Sequence, residues 1–119
     1  MLRGVHHVSL NVSDVGASGT FYVDVLGLTP IPRPDFGFPG AWFELPDGRQ
    51  LHLIEVAGWR APEGQHVAFR VEDVEATAAW LRDRGADVTD PFTVPGAGRQ
   101  AFLEDPDGNV IELNEPQPG

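Results

Sequence analysis

Residues 7–17 read HVSLNVSDVGA, and residues 66–76 read HVAFRVEDVEA. At an offset of 59, His7 falls on His66, Val8 on Val67, Val12 on Val71, Asp14 on Asp73, Val15 on Val74 and Ala17 on Ala76. A second pair of stretches agrees. WFELPDGRQLHLIE at 42–55 and FLEDPDGNVIELNE at 102–115 match at an offset of 60. There Glu44 meets Glu104, Pro46-Asp47-Gly48 meets Pro106-Asp107-Gly108, Leu53 meets Leu113 and Glu55 meets Glu115. Two separated blocks at nearly one offset indicate a duplicated unit of about 55–60 residues. Glycine and proline interrupt the pattern at residues 57–64 (AGWRAPEG), which puts the junction there. The chain is then read as one domain of 119 residues, with module one over about 1–57 and module two over about 65–119.

Both copies follow one plan, β-α-β-β-β. An alternating strand opens each, over Val5–Val12 and His66–Val71. A helix follows, with Asp-type cap signals at Ser13/Asp14 and at Asp73. The first is expected to run to Leu26 and stop at Gly27. It holds Gly16, Gly19 and Thr20, so packing rather than propensity must sustain it. The second, Val74–Arg84, places Val74, Ala78 and Leu81 on one face and stops at Gly85. Further strands are expected at Thr29–Arg33, Ala41–Leu45 and Gln50–Val56, then at Asp87–Thr89, Arg99–Glu104 and Asn109–Asn114. Pro-Asp-Gly joins the last two of each set, and the glycine suits a hairpin turn that needs positive φ.

Composition narrows the function classes. Eighteen acidic against eight basic residues give a formal charge of −10, which disfavours nucleic acid and anionic membrane surfaces. That charge suits neutral or cationic small molecules and cations. There is no cysteine, so disulfides, thiolate metal sites and thiol nucleophiles are out. No basic, apolar leader is visible and no apolar run is long enough to span a bilayer, which makes a cytoplasmic protein the expectation. Any metal ligands must be His, Asp or Glu.

Strand parity then groups the chemistry-bearing residues. Side chains alternate between faces along a strand. In the first strand His6, Val8, Leu10 and Val12 make the helix-side face, and His7, Ser9 and Asn11 the other. In the first strand of module two, Val67, Phe69 and Val71 face the core, which leaves His66, Ala68 and Arg70 opposite. In the last strands, Leu51 and Leu53 oppose His52 and Ile54, while Ile111 and Leu113 oppose Glu112 and Asn114. His7, His52, His66 and Glu112 therefore all lie on the face away from the helix, as two repeat-equivalent pairs. Neutral imidazole and carboxylate are good donors for Fe(II), Mn, Co, Ni or Zn. Four such donors leave two positions of an octahedral ion for a substrate's two oxygens. One divalent ion per site on His7, His52, His66 and Glu112 is the expectation. Ser9, Asn11, Arg70 and Asn114 share that face as candidates to orient a substrate, and Trp42 and its repeat equivalent Phe102 are candidates to line the cavity. His6, on the helix-side face, is not expected at the metal.

The pieces HHVSLNVSDV, FYVDVLGL, LPDGRQLHLIE, HVAFRVEDVEATAAWL, RGADV and AFLEDPDGNVIELNE resemble the vicinal oxygen chelate superfamily, and they cover nearly the whole chain. That superfamily holds glyoxalase I, extradiol dioxygenases, fosfomycin-resistance thiol transferases, methylmalonyl-CoA epimerase and bleomycin-resistance proteins. The resemblance implies an α+β fold of two βαβββ modules, forming a cupped mixed sheet around a metal with helices on the outer face. It also implies a homodimer and a small-molecule substrate. Carried over one at a time, the family's metal positions land on His7, His52, His66 and Glu112. One position departs: glyoxalase I enzymes usually have glutamate, or glutamine, where this chain has His52. In those enzymes a metal-bound glutamate moves a proton, a role the resemblance implies for Glu112, with His52 as the second base. His7, His66 and Glu112 also resemble the two-histidine, one-carboxylate triad of oxygenases. The Pro/Gly/aromatic stretch RPDFGFPGAWFE at residues 33–44 reads as a loop over the mouth of the cup followed by a strand. Three activities follow as expectations: a glyoxalase-like lyase or isomerase first, an extradiol-type dioxygenase second, and a metal-free drug-sequestering protein third. If two chains share the cup, His7 and His52 of one face His66 and Glu112 of the other.

Overall fold

The computed structural model describes residues 1–118. The chain divides into two compact units, Met1–Arg60 and Ala61–Gly119. The elements run β1 (His7–Val12), α1 (Val15–Thr20) with a π-helical turn (Phe21–Val25), β2 (Thr29–Ile31), β3 (Gly40–Glu44), β4 (Gln50–Glu55), β5 (His66–Arg70), α2 (Val74–Asp83), β6 (Phe92–Val94), β7 (Gly98–Glu104) and β8 (Val110–Glu115). This is α+β, with the βαβββ order twice. Each unit forms a four-stranded mixed sheet, in the order β1-β4-β3-β2 or β5-β8-β7-β6. The first and last strands of each module run parallel, the helix carries the chain from the first strand across to the far edge of the sheet, and the other pairings are antiparallel.

One face of each sheet carries the helix. In module one Tyr22 of the helix and Leu10, Val12, Phe43, Leu51 and Leu53 of the strands are buried between the two, with the Tyr22 and Phe43 ring centroids 6.1 Å apart. In module two Val74, Ala78 and Leu81 of α2 pack with Ala101, Leu103, Ile111 and Leu113. Each fully buried leucine or isoleucine contributes about 1.5–3 kcal/mol, so these faces decide the register.

The helix N-termini are satisfied in the same way twice. Asp14 Oδ1 accepts the Gly16 and Ala17 amides, and Asp73 Oδ1 accepts that of Ala76. The first helical amide goes elsewhere: Val15 N–H donates to Glu55 Oε1 and Val74 N–H to Glu115 Oε1, both at 3.0 Å. Each last strand thus ends in a carboxylate that docks its own module's helix.

Local readings change at three places. The first helix does not stay α-helical to Leu26. Beyond Thr20 it widens, and Leu26 N–H donates to Phe21 O, five residues back. A glycine-rich, β-branched helix has little propensity to resist that widening. The strand expected at Asp87–Thr89 is not formed; β6 lies at Phe92–Val94 instead. Thr89 N–H does reach Phe102 O, but Thr89 Oγ1 takes the Phe102 amide where a regular ladder uses a carbonyl, and Pro91 has no N–H to continue it. The hairpin loops, Pro46–Gly48 and Pro106–Gly108, carry three residues, closed by Leu45 N–H to Arg49 O and Asp105 N–H to Asn109 O. Gly48 and Gly108 take φ of 86° and 80°, the left-handed geometry that demands glycine there.

Candidate functional site

On the helix-free face of module one, register builds a row across the sheet. Ser9 of β1 faces His52 of β4, which faces Trp42 of β3, which faces Ile31 of β2. The His52 ring is stacked on both His7, at 4.0 Å and 17°, and Trp42, at 4.2 Å and 7°. His52 is only 7% exposed although it faces away from the helix. Its Nε2–H donates to Gln50 Oε1 at 2.8 Å, so in the neutral ring Nδ1 keeps the lone pair. Burial holds its pKa below the ordinary imidazole value, and electrostatic interaction with His7, His6 and Arg33 pushes the same way. A neutral imidazole is also the form that binds metal.

A cleft of about 380 Å³ opens beside this stack, lined by His6, His7, Ser9, Arg33, Phe36, Phe38, Trp42, His52 and Ile54. His6 corrects a reading of the strand. It is exposed, precedes β1, and its Nδ1 lies 2.9 Å from His7 Nδ1 rather than under the helix. Pleat parity does not extend past the strand's end. Arg33, Phe36 and Phe38 were not singled out individually in the sequence; only the aromatic, Pro/Gly-rich composition of their segment pointed to them. Asn11 lies further along the row of Ser9, opposite Ile54.

Module two repeats the arrangement with different chemistry. Glu112 of β8 faces Ala68 of β5 and Phe102 of β7, the places held by His52, Ser9 and Trp42 in module one. Glu112 is 7% exposed, and Asn114 Nδ2 donates to its Oε2 at 2.9 Å and to Ala97 O at 3.0 Å. His66 Nδ1–H donates to Gly64 O at 3.2 Å, which orients the ring and turns Nε2 to Glu112 Oε1 at 3.1 Å. Phe102 packs edge-on to His66 and stacks on Phe92. Arg70 is exposed, beside Asn114 in register. A larger cavity of module two, about 690 Å³, is lined by Asp87, Thr89, Phe102, Leu103, Glu104, Asp105 and Val110 and touches neither His66 nor Glu112.

Each module thus brings together one pair of the four candidate ligands: His7 with His52, and His66 with Glu112. Among the described residues no group of three or more His, Asp or Glu is gathered as a metal site. The second pair tests whether the residues suit a metal. With Nδ1–H committed to Gly64, the neutral His66 ring turns a lone pair toward a carboxylate lone pair. Only a positive charge, a proton or a cation, reconciles them. Two neighbouring donors on an ion with bonds of about 2.1 Å lie about 3 Å apart, which this pair satisfies. A backbone carbonyl holding the other ring nitrogen is the usual support of a metal-binding histidine.

The model of the Glyoxalase/Bleomycin resistance protein/Dioxygenase superfamily matches residues 4–113. A lactoylglutathione lyase from Haemophilus influenzae is 33% identical, over 92% of this chain and 90% of its own. Among solved structures, TnmS3, an antibiotic binding protein from Streptomyces sp. CB03234, is 36% identical, with TM-score 0.75 and 98% of each chain covered. A variant of the fosfomycin resistance protein FosX from Listeria monocytogenes, complexed with Mn(II) and 1S,2S-dihydroxypropylphosphonic acid, has the same fold. It is 20% identical, with TM-score 0.80, covering 98% of this chain and 95% of that one. No helix among the described residues is long and apolar enough to cross a membrane. With a family match over nearly the whole length and a duplicated βαβββ fold, this chain belongs to the Glyoxalase/Bleomycin resistance protein/Dioxygenase superfamily.

Proposed function

We propose that this protein is a divalent-metal-dependent enzyme of glyoxalase type, a lyase or isomerase acting on a small substrate with two neighbouring oxygens. The observation that carries the reading is the His66–Glu112 pair, an imidazole nitrogen and a carboxylate oxygen 3.1 Å apart with the ring's other nitrogen held by a backbone carbonyl. In this reading His7, His52, His66 and Glu112 hold the ion, two from each module, and a homodimer is the working assembly. The ion is Fe, Mn, Ni, Co or Zn. When bound it supplies Lewis-acid stabilisation to an enolate-like oxyanion. Glu112 moves the proton between carbon and oxygen, with Asn114 fixing its second oxygen. His52 is the second base, aligned by Gln50 and kept neutral by burial. Similarity to a lactoylglutathione lyase supports the reaction type.

The test is turnover of the hemithioacetal of methylglyoxal and glutathione after chelation and reloading with each metal. Activity restored by metal and lowered about 100-fold or more by Glu112→Gln fits the proposal. Oxygen uptake with catechols instead would make the protein an extradiol-type dioxygenase. A second reading, sequestration of a ring-containing drug without metal, is favoured by the His7–His52–Trp42 stack and by the similarity to an antibiotic binding protein. Tight drug binding by fully chelated protein, with no turnover under any loading, would support it.

A further inference from the structure

The cleft of module one differs in charge from the chain that forms it. The chain carries a formal −10, yet the charged side chain that lines the cleft is the Arg33 guanidinium, with no Asp or Glu beside it. An acidic surface overall suggests a cationic ligand; the lining of this cleft says the opposite. Arg33 is also fixed in place. Its Nη1 donates to Phe38 O at 3.1 Å, and Cζ lies 4.9 Å and 5.0 Å from the Phe36 and Phe38 ring centroids. Gly40 makes room for it, since a Cβ there would fall 2.8 Å from Arg33 Cζ and Nε. Among the described residues no carboxylate forms an ion pair with Arg33. Its charge is therefore available at the edge of the cleft.

The walls are aromatic. Phe36 and Phe38 stack at 5.8 Å, Phe36 lies 6.0 Å from Trp42, and Trp42 continues into the His52 and His7 rings. Phe36 and Phe38 nevertheless remain 51% and 46% exposed, an apolar surface that a flat ligand would cover. The cleft's 380 Å³ lies within the size range of small-molecule sites.

We infer that this cleft takes a flat aromatic acid, its ring against Trp42, Phe36 and Phe38 and its carboxylate or phenolate on the Arg33 guanidinium. The cleft includes His7 and His52 of the proposed metal site, but the inference goes beyond that reading and stands without it.

Isothermal titration with 2-naphthoate, 2-naphthalenemethanol, 2-naphthylmethylammonium and cyclohexanecarboxylate tests it, on protein as purified and again after chelation. Naphthoate is expected to bind about ten-fold or more tighter than both the ammonium and the cyclohexane acid, before and after chelation. Arg33→Gln should abolish the preference for the acid while changing naphthalenemethanol binding by less than about two-fold, and Arg33→Lys should restore part of it. Trp42→Leu should weaken all three naphthalenes together. Equal or tighter binding of the ammonium, or an acid preference that survives Arg33→Gln, would overturn the assignment. So would a preference that disappears on chelation, because the acid would then be held by metal. Absence of bound metal, by contrast, removes only the proposed function and leaves this expectation standing.

Discussion

The carboxylate of Glu115, the last residue of β8, accepts the Val74 amide of α2 at 3.0 Å, so the end of the sheet caps the start of the helix. Glu55 and Val15 repeat this in module one. Parity explains why the ligand face is undisturbed: Glu55 and Glu115 alternate with Ile54 and Asn114, and so lie on the helix side. Glu55→Ala and Glu115→Ala should each cost about 1–2 kcal/mol in urea denaturation, through one charge-assisted hydrogen bond at a helix N-terminus. Glutamine, which keeps an acceptor oxygen, should cost less than alanine at both sites.

Asp105 is 5% exposed and holds the second hairpin by accepting the Asp107 and Asn109 amides and Asn109 Nδ2. Asp105→Ala leaves these donors without their acceptor, and a loss of about 2–3 kcal/mol is expected from the same denaturation measurement. Module one has Leu45 at this place, so substitution there tests packing alone.

Two glycines at the start of β3 and β7 lie where a side chain has no room. A Cβ at Gly40 would sit 2.5 Å from Leu53 O, and one at Gly98 would sit 2.4 Å from Glu115 O. Gly98 also has φ of +101°. Gly98→Ala should destabilise by about 1–3 kcal/mol from backbone strain and contact together. Gly40→Ala should in addition displace Arg33, and thereby lower naphthoate affinity more than naphthalenemethanol affinity.

His52 gives a pH signature. Its pKa is lowered on folding, chiefly by burial and then by His7, His6 and Arg33, so below the ordinary value of 6.5 the unfolded chain binds the extra proton. Its contribution to stability is therefore complete above pH 6.5 and is lost as pH falls from there to the folded pKa. In chelated protein, the drop in unfolding free energy between pH 7.5 and 5.5 should be smaller for His52→Gln than for the parent. An equal drop in both would show that His52 is as easily protonated folded as unfolded.

Much of this was legible in the chain itself. The offset match between residues 7–17 and 66–76 implied the repeated βαβββ order, because a duplicated pattern of buried and exposed positions admits few folds. Alternation in Leu51–His52–Leu53 and Ile111–Glu112–Leu113 was strong enough to assign faces. What was not legible depends on single hydrogen bonds or on chain outside the strands. The shift of β6 to Phe92–Val94 follows from one Thr89 hydroxyl and Pro91. The place of His6 follows from where β1 begins. The cationic, aromatic character of the module-one cleft comes from Arg33, Phe36 and Phe38, whose segment has no periodicity to read. Glu55 and Glu115 were matched by the repeat, but their docking of the helices needed the tertiary contact.

The most direct test of the metal reading is elemental analysis of the protein purified without added metal, beside the variants His7→Ala and Glu112→Ala, which remove one donor from each module. About one equivalent of a first-row divalent metal per site, lost from both variants while their circular dichroism spectra match the parent, is the predicted result. Metal retained in either variant, or none taken up by the parent under any loading, would contradict it.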